Sequence, residues 1–217
     1  MLLLHYDAAC LIYIWPFTKI HAIEWNNFKI KRVAAGLGEV LKKTVVLVGM
    51  MGAGKTAVGK ALAERLSVPF LDSDDEIVKA ANMSIAEVFE RDGEAFFRAR
   101  ETEVITRLLE EETGILSTGG GAFLAARNRA VIADKGVAVW LKADLGLLWA
   151  RVRHKNTRPL LRTDNPRQTL RTLCEAREPF YAQADLAVQG RPDFSVDDMA
   201  TAVLAALKTR PDVLEAE

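Results

Sequence analysis

Short apolar runs alternate with amphipathic stretches along this chain after residue 43. Five runs have the length and the apolar character of strands buried in a parallel sheet. They are TVVLVG at 44–49, VPFL at 68–71, GILSTGGG at 114–121, GVAVWLKA at 136–143 and DLAVQ at 185–189. Strands that alternate with helices indicate an α/β fold, in which helices cover both faces of a parallel sheet.

The stretches between these runs carry helical periodicity. Val58, Leu62 and Leu66 fall four residues apart, which places them on one face of a helix. Ser84 and Glu87 have the spacing of a capping box at a helix start. Further helices are predicted at about 74–81, 84–92, 94–111, 126–135, 144–153, 167–184 and 195–210. Gly93 is the predicted stop of the second of these, Pro179 interrupts the sixth, and Ser195 is the N-cap of the last.

The regular pattern predicts one domain over residues 44–210. Residues 1–43 precede it as an extension that we expect to be partly disordered, and residues 27–43 within it are basic and weakly helical. Residues 153–166 are polar, lack periodicity and contain two prolines, which predicts a loop. Residues 211–217 are expected to form a C-terminal tail.

Composition excludes several classes of protein. Lys+Arg and Asp+Glu each number 29 in the 217 residues, so neither a nucleic acid nor an anionic membrane surface is an expected partner. The two cysteines make no disulfide framework and favour a reducing compartment. No apolar run approaches the roughly 20 residues of a membrane span, and the apolar N-terminus lacks the basic region of a secretory signal.

The sequence GMMGAGKT at residues 49–56 carries the clearest chemistry. It matches G-x-x-x-x-G-K-[ST], follows a predicted strand and opens a predicted helix, as a phosphate-binding P-loop must. Loop N–H groups and the helix N-terminus together form an anion cradle for phosphates. We therefore predict a bound nucleoside triphosphate, held by Gly52, Ala53, Gly54, Lys55, Thr56 and Ala57.

Two polar clusters follow the next strands, where open α/β sheets bind ligands. Asp72 and Asp74 lie two residues apart on a predicted extended segment, so one could serve Mg²⁺ and the other a substrate hydroxyl; helix capping is the alternative. The three glycines at 119–121 allow a small polar molecule to approach, although a tight turn explains them equally well. Thr118 replaces the carboxylate expected of a GTPase or motor ATPase.

Arginines are candidates for binding the second substrate. Arg98 and Glu101 lie three residues apart on one helix face, so the glutamate could hold the guanidinium ready for a carboxylate ligand. A surface ion pair is the alternative. Arg158 lies in the irregular loop, and Arg177 lies in AREPFY late in the chain.

Taken together, these motifs resemble the shikimate kinase family. The resemblance spans about residues 44–210 and rests on GMMGAGKT, LDSD, DGEAFFRARE, STGGGA, RPLL and AREPFY, in that order. It implies a three-layer α/β/α P-loop fold with a five-stranded parallel sheet. It also implies a helical substrate-binding region at about 73–102, a lid at about 153–166, and phosphorylation of the 3-hydroxyl of shikimate by ATP, a step toward chorismate and aromatic amino acids.

The resemblance assigns the nucleotide side of the reaction. Lys55 and the loop amides would hold the phosphates of ATP, and Thr56 with Asp72 would hold Mg²⁺. Arg158 would close on the transferring phosphate with the lid.

On the acceptor side, Asp74 would receive the hydroxyl that is phosphorylated. Arg98 and Arg177 would bind the shikimate carboxylate, with Glu101 supporting Arg98. The ring site would be lined by Gly119, Gly120 and Gly121.

Two other functions stay open at this point. A small-molecule kinase resembling gluconate kinases would share the nucleotide site, and a regulatory or scaffold protein could bind the nucleotide without turnover. The filled catalytic positions count against the second. We expect a cytoplasmic monomer whose partners are shikimate and ATP, with no nucleic acid and no membrane.

Overall fold

The structure is a computed structural model that describes residues 39–154 and 159–216. Its strands are β1 (Glu39–Leu41), β2 (Thr44–Val48), β3 (Phe70–Asp72), β4 (Ile115–Ser117), β5 (Gly136–Lys142), β6 (Leu186–Gln189) and β7 (Leu214–Ala216). Its helices are α1 (Lys55–Leu66), α2 (Ser73–Ala81), α3 (Ile85–Glu111), α4 (Ala126–Lys135), α5 (Leu145–Val152), α6 (Pro166–Tyr181) and α7 (Val196–Leu207). Short 3₁₀ turns lie at Ala122–Leu124 and Pro159–Leu161.

Five of these strands form a parallel sheet in the order β3-β4-β2-β5-β6. The central strand β2 is buried along its whole length, as its unbroken apolar sequence predicts for a strand covered on both faces. Helix α1 packs with α7, and α3 packs with α4. The predicted three-layer α/β/α fold with a five-stranded parallel sheet is therefore confirmed.

The order of the strands brings the candidate site together. In the parallel register Ser117 at the end of β4 pairs with Leu47 on one side and Asp72 on the other. The segments that follow β2, β3 and β4 therefore leave the same edge of the sheet side by side. They carry the P-loop, Asp74 in the first turn of α2 and the three glycines, and Asp72 ends β3 at the same edge.

Two helix starts are capped as their sequences predict. The Ser84 hydroxyl accepts the N–H of Glu87, and the Glu87 carboxylate accepts the N–H of Ser84 at 2.7 Å. Ser195 and Asp198 make the same reciprocal pair at the start of α7. Each capping box satisfies N–H groups that the first helical turn leaves without a partner.

One predicted helix break is confirmed and the other is weaker than the sequence suggests. Gly93 has φ of 80° and ψ of 172°, which is not helical, so α3 consists of the two predicted helices, which meet at a kink at this residue. Helix α6 continues through Pro179, which lies in its last turn. There proline removes only one N–H from the helix and no further turn has to be built on it.

A small second sheet was not predicted. Strand β1 pairs antiparallel with β7, so residues 39–41 are extended where the sequence suggested weak helix, and the folded unit reaches into the expected C-terminal tail. Leu41 and Leu214, which pair with each other in this sheet, are both buried, and an ion pair of 2.9 Å joins Lys42 to Glu215. The expectations for residues 1–38 lie outside the described residues.

Among the helices of residues 39–154 and 159–216, none is long and apolar enough to span a bilayer.

Candidate active site

The P-loop connects β2 to α1 and has the backbone geometry of an anion cradle. Gly52 and Gly54 have φ of 84° and 99°, which side-chain-bearing residues rarely adopt. A Cβ at Gly52 would also lie 2.7 Å from a methyl group of Val152. The first turn of α1 carries no acidic residue, so nothing on the helix neutralises the partial positive charge at its N-terminus.

Lys55 is the first residue of α1, and its ammonium group lies along the loop. Nζ donates hydrogen bonds to the carbonyl oxygens of Gly49 at 2.8 Å and Met50 at 3.2 Å. Lys55 lines the same cavity as the loop backbone. Its charge is therefore held where the phosphates of a nucleotide in the cradle would lie.

Asp72 ends β3 and has two contacts. Its Oδ1 accepts the N–H of Asp74 at 3.0 Å and caps α2, the alternative that the sequence left open, while its Oδ2 lies 3.4 Å from the Thr56 hydroxyl. The prediction that both aspartates share one extended segment is wrong, because Asp74 lies in the first turn of α2. The helical turn directs Asp74 toward the glycines instead.

The oxygens near Thr56 fit a magnesium ion. The Thr56 hydroxyl also lies 3.5 Å from the hydroxyl of Ser117, a residue that the sequence analysis did not select. Mg²⁺ prefers oxygen ligands, keeps several waters and shares phosphate oxygens. Within residues 39–154 and 159–216 no three His, Cys, Asp or Glu side chains gather into a metal cluster. The donors present fit an ion held jointly with a nucleotide.

The three glycines form a turn that charged side chains approach closely. A Cβ at Gly119 would lie 2.7 Å from Asp74 Oδ1, and a Cβ at Gly121 would lie 2.6 Å from an Arg98 nitrogen. At Gly120 the nearest atom would be Arg177 Nη1 at 3.7 Å. The structure thus brings together Asp74, Arg98 and Arg177, which come from three different helices.

Glu101 supports Arg98 from beneath. Its carboxylate is only 1% exposed and accepts a hydrogen bond from Arg98 Nη1 at 2.8 Å. Because the Glu101 carboxylate is buried, the alternative of an ion pair between two surface side chains is wrong. Burial raises the pKa of the Glu101 carboxyl, and Arg98 opposes that rise. Burial also disfavours the Arg98 cation, but its bonds to Glu101 and Glu94 outweigh this and raise the pKa of Arg98.

One cavity of about 470 Å³ joins the nucleotide cradle to the acceptor side. Its lining includes all six predicted nucleotide-binding residues of the P-loop together with Asp72, Asp74, Gly119 and Gly120. The phosphate cradle and the Asp74 carboxylate therefore face a space large enough for small ligands, and Arg177 approaches Gly120 in its lining.

Arg151 was not selected from the sequence. It lies in α5, lines the cavity and donates to the carbonyl oxygens of Gly52 and Ala53 at 3.2 and 3.3 Å. Arg151 contacts a P-loop that lies almost a hundred residues earlier in the sequence, so no local pattern indicates this contact. Residues 155–158 of the predicted lid, which include Arg158, lie outside the described part of the chain.

A P-loop after the central strand of a five-stranded parallel sheet defines a nucleotide-binding protein of the P-loop class. Beside the phosphate cradle, one carboxylate, Asp74, and two arginines, Arg98 and Arg177, approach the glycine turn. Within the class, this is the arrangement of a kinase that acts on a small molecule.

Comparisons with known proteins identify the family. A sequence model of shikimate kinase matches residues 51–208. A shikimate kinase from Ruegeria pomeroyi is 67% identical over 193 residues, which are 89% of this chain and 97% of that relative. This chain belongs to the shikimate kinase family.

Solved structures agree with this assignment. The shikimate kinase from Acinetobacter baumannii, solved in complex with shikimate, is 39% identical and matches with a TM-score of 0.72 over 77% of this chain and 93% of that one. A gluconokinase from Sinorhizobium meliloti matches with a TM-score of 0.52 at 20% identity, over 78% of this chain and 93% of that one, which shows a shared fold alone.

Gly121→Ala tests the close approach of Arg98 to the glycine turn. The new methyl group would lie 2.6 Å from the guanidinium and must displace it. Because a hydrogen bond to a charged group contributes about 1.5–3 kcal/mol, we expect the KM for the acceptor to rise roughly tenfold or more, with little change for ATP. Steady-state kinetics with each substrate varied in turn measures both values.

Gly146→Ala is the matched control. Gly146 lies in α5, and a Cβ there would meet nothing within 4 Å. Alanine at such a helical position should leave both KM values unchanged and slightly raise the melting temperature. Equal kinetic constants for Gly121→Ala and Gly146→Ala would contradict the proposed contact.

Proposed function

We propose that this chain transfers the γ-phosphoryl group of ATP to the 3-hydroxyl of shikimate, giving shikimate 3-phosphate and ADP. The observation that carries the proposal is the glycine turn, which Asp74, Arg98 and Arg177 approach beside the P-loop. Shikimate offers one carboxylate for two arginines and a hydroxyl for the aspartate. The reaction is a step toward chorismate and the aromatic amino acids.

On the nucleotide side, phosphoryl transfer needs positioning and positive charge more than covalent help. The loop N–H groups would bind the phosphates of ATP, and the Lys55 ammonium would neutralise charge on the transferring group. Thr56 and Asp72, with Ser117 beside them, would hold Mg²⁺. The ion would supply further positive charge to the phosphates of ATP.

On the acceptor side, two arginines would fix the ring through its carboxylate. Glu101 holds the Arg98 guanidinium in place, so less side-chain freedom is lost when the ligand binds. Asp74 would accept the hydrogen bond of the reacting hydroxyl and take its proton as the oxygen attacks phosphorus. Gly119, Gly120 and Gly121 lack side chains that would fill the ring site.

The lid stays a prediction from the sequence. Residues 153–166 are polar and bounded by proline, and Arg158 among them would bring a positive charge to the transferring phosphate. Closure would exclude water and so limit hydrolysis of ATP. The boundaries of the extension, domain and tail, the monomeric state and the cytoplasmic location are likewise predictions from the sequence.

Release of ADP tests the proposal against its two rivals. The assay contains ATP and Mg²⁺ with shikimate, with gluconate, or with neither. Strong stimulation by shikimate supports the proposal. Stimulation by gluconate alone would keep the P-loop assignment and overturn the acceptor, whereas ATP binding without stimulated release would favour a nucleotide-binding protein without turnover.

Arg98→Lys tests the carboxylate site. Lysine keeps the charge but cannot bind a carboxylate through two parallel N–H groups. We expect the KM for shikimate to rise about tenfold while the KM for ATP stays within about twofold. Steady-state kinetics measures this difference.

Arg100→Lys is the control for that change. Arg100 lies on the same helix but is exposed and pairs with Glu103 on the surface. Surface pairs contribute little, so this variant should behave as the unaltered protein. Losses of equal size for shikimate and ATP in Arg98→Lys would contradict the assignment of Arg98 to the acceptor.

A further inference from the structure

Tyr181 is a buried polar residue that the reaction scheme above does not use. It is the last residue of α6 and is 2% exposed. Its hydroxyl donates to the carbonyl oxygen of Gly120 at 2.5 Å. The same hydroxyl lies 3.7 Å from the Met50 sulfur in the P-loop, and its ring stacks on Trp140 of β5 at 6.1 Å between centroids.

These contacts join two parts of the site whose relative position must be kept for transfer from one ligand to the other. Gly120 belongs to the acceptor turn and Met50 to the phosphate cradle. The two segments are also adjacent, since a Cβ at Gly120 would lie 3.7 Å from the Met51 nitrogen. Tyr181 therefore contacts the acceptor turn and the P-loop at their boundary.

The Tyr181 hydroxyl is suited to act as a permanent donor. Burial raises its pKa, and the nearby Arg177 opposes that rise without reversing it. The phenol consequently keeps its proton at neutral pH. The Gly120 carbonyl is partly buried, so the Tyr181 hydroxyl satisfies an acceptor that water reaches only in part.

A second donor approaches the same oxygen. Arg177 Nη1 lies 3.5 Å from the Gly120 carbonyl, at the outer limit of a hydrogen bond. Without the Tyr181 hydroxyl, that carbonyl would attract the guanidinium more strongly. Arg177 would then be drawn onto the protein backbone and away from a bound carboxylate.

We propose that Tyr181 is a positioning residue of the acceptor site. Its hydroxyl holds the Gly120 carbonyl, which fixes the glycine turn against the P-loop and leaves Arg177 available for the carboxylate of the acceptor. The inference rests on the proposed function for the identity of that acceptor. The hold on the turn itself follows from contacts within the chain.

Tyr181→Phe removes the hydroxyl and keeps the ring against Trp140. We expect the KM for shikimate to rise roughly tenfold, with kcat and the Kd for ATP within about twofold of the unaltered protein. Because the effect acts through Arg177, the penalty should be smaller for shikimate methyl ester, which has no negative carboxylate. A role in packing alone would lower the melting temperature and leave this pattern of constants unchanged.

Amide hydrogen exchange tests the hold of Tyr181 on the glycine turn without any acceptor substrate. The N–H groups of Gly119, Ala122 and Leu124 are bonded within or beside the turn. In Tyr181→Phe a peptide that covers residues 118–124 should exchange faster. Thr172→Val is the control, because it removes an exposed hydroxyl of the same helix that lies outside the predicted lid.

The outcomes separate this inference from the proposed function. A raised KM for shikimate with faster exchange in Tyr181→Phe, and neither in Thr172→Val, supports it. An unchanged KM, or equal losses for shikimate and ATP, overturns it. If the unaltered protein does not use shikimate, the proposed function fails. Hydrogen exchange alone then decides whether Tyr181 holds the glycine turn, and unchanged exchange in Tyr181→Phe overturns this inference as well.

Discussion

Replacing Lys55 by methionine is expected to lower kcat by roughly a thousandfold. Methionine has a similar length but no charge, so the transferring phosphoryl group loses a cation that the loop geometry holds beside it. The Lys55 ammonium is held by hydrogen bonds to the carbonyl oxygens of Gly49 and Met50, so the variant lacks a charge whose position the loop fixes. Single-turnover kinetics at saturating ATP and shikimate isolates this chemical step.

Lys60→Met is the control for Lys55→Met. Lys60 lies on the same helix but is exposed, with its ammonium 5.7 Å from the centre of the Phe70 ring. Its replacement should leave kcat unchanged. A Lys55→Met variant that retains more than about a tenth of kcat would contradict the role of this charge in the transition state.

Asp74→Asn is expected to lower kcat by about a hundredfold to a thousandfold with shikimate saturating. Asparagine keeps the shape of the side chain and one carbonyl oxygen that can orient a hydroxyl, but it does not take a proton. The close approach of Asp74 to Gly119 places the lost carboxylate at the acceptor turn. Turnover at saturating concentrations of both substrates measures the effect.

Asp75→Asn serves as the matched control, since Asp75 is the next residue in α2 and is exposed. It should retain full activity. Normal turnover in Asp74→Asn would remove Asp74 from the mechanism, whereas a loss of only a few fold would assign it to orientation of the hydroxyl rather than to proton transfer.

The sheet and the P-loop could be predicted because their signals are local. Four consecutive apolar residues, Val45 to Val48, are all fully buried in β2, and the glycines at positions 52 and 54 adopt positive φ as the motif requires. In both cases the residues that define the feature are neighbours in the sequence, so periodicity and spacing suffice.

The small sheet of β1 and β7 could not be predicted for the opposite reason. Each strand has three residues, which is too short to show a period of two, and the partners lie about 175 positions apart. Asp74 was misjudged for a related reason, because β3 ends at Asp72 and the capping bond starts α2 one residue later.

The acceptor site shows where sequence reasoning depended on resemblance. Arg98, Arg177 and the glycine turn each have an ordinary explanation when taken alone, and only the family pattern joined them. The structure supplies the physical link, since the guanidinium groups lie against neighbouring glycines. Ser117, Arg151 and Tyr181 were missed because their partners are distant in the sequence. Ser117 and Tyr181 lie inside STGGGA and AREPFY, but those motifs alone gave neither residue a role.

The position of the phosphate in the product tests the central claim most directly. After incubation with ATP, Mg²⁺ and shikimate, phosphorus–proton NMR identifies which carbon bears the new phosphate ester. The account predicts one phosphomonoester, coupled to the proton on carbon 3 and formed in equal amount with ADP. ADP formed without a shikimate phosphate, or a phosphate on another hydroxyl, would contradict it.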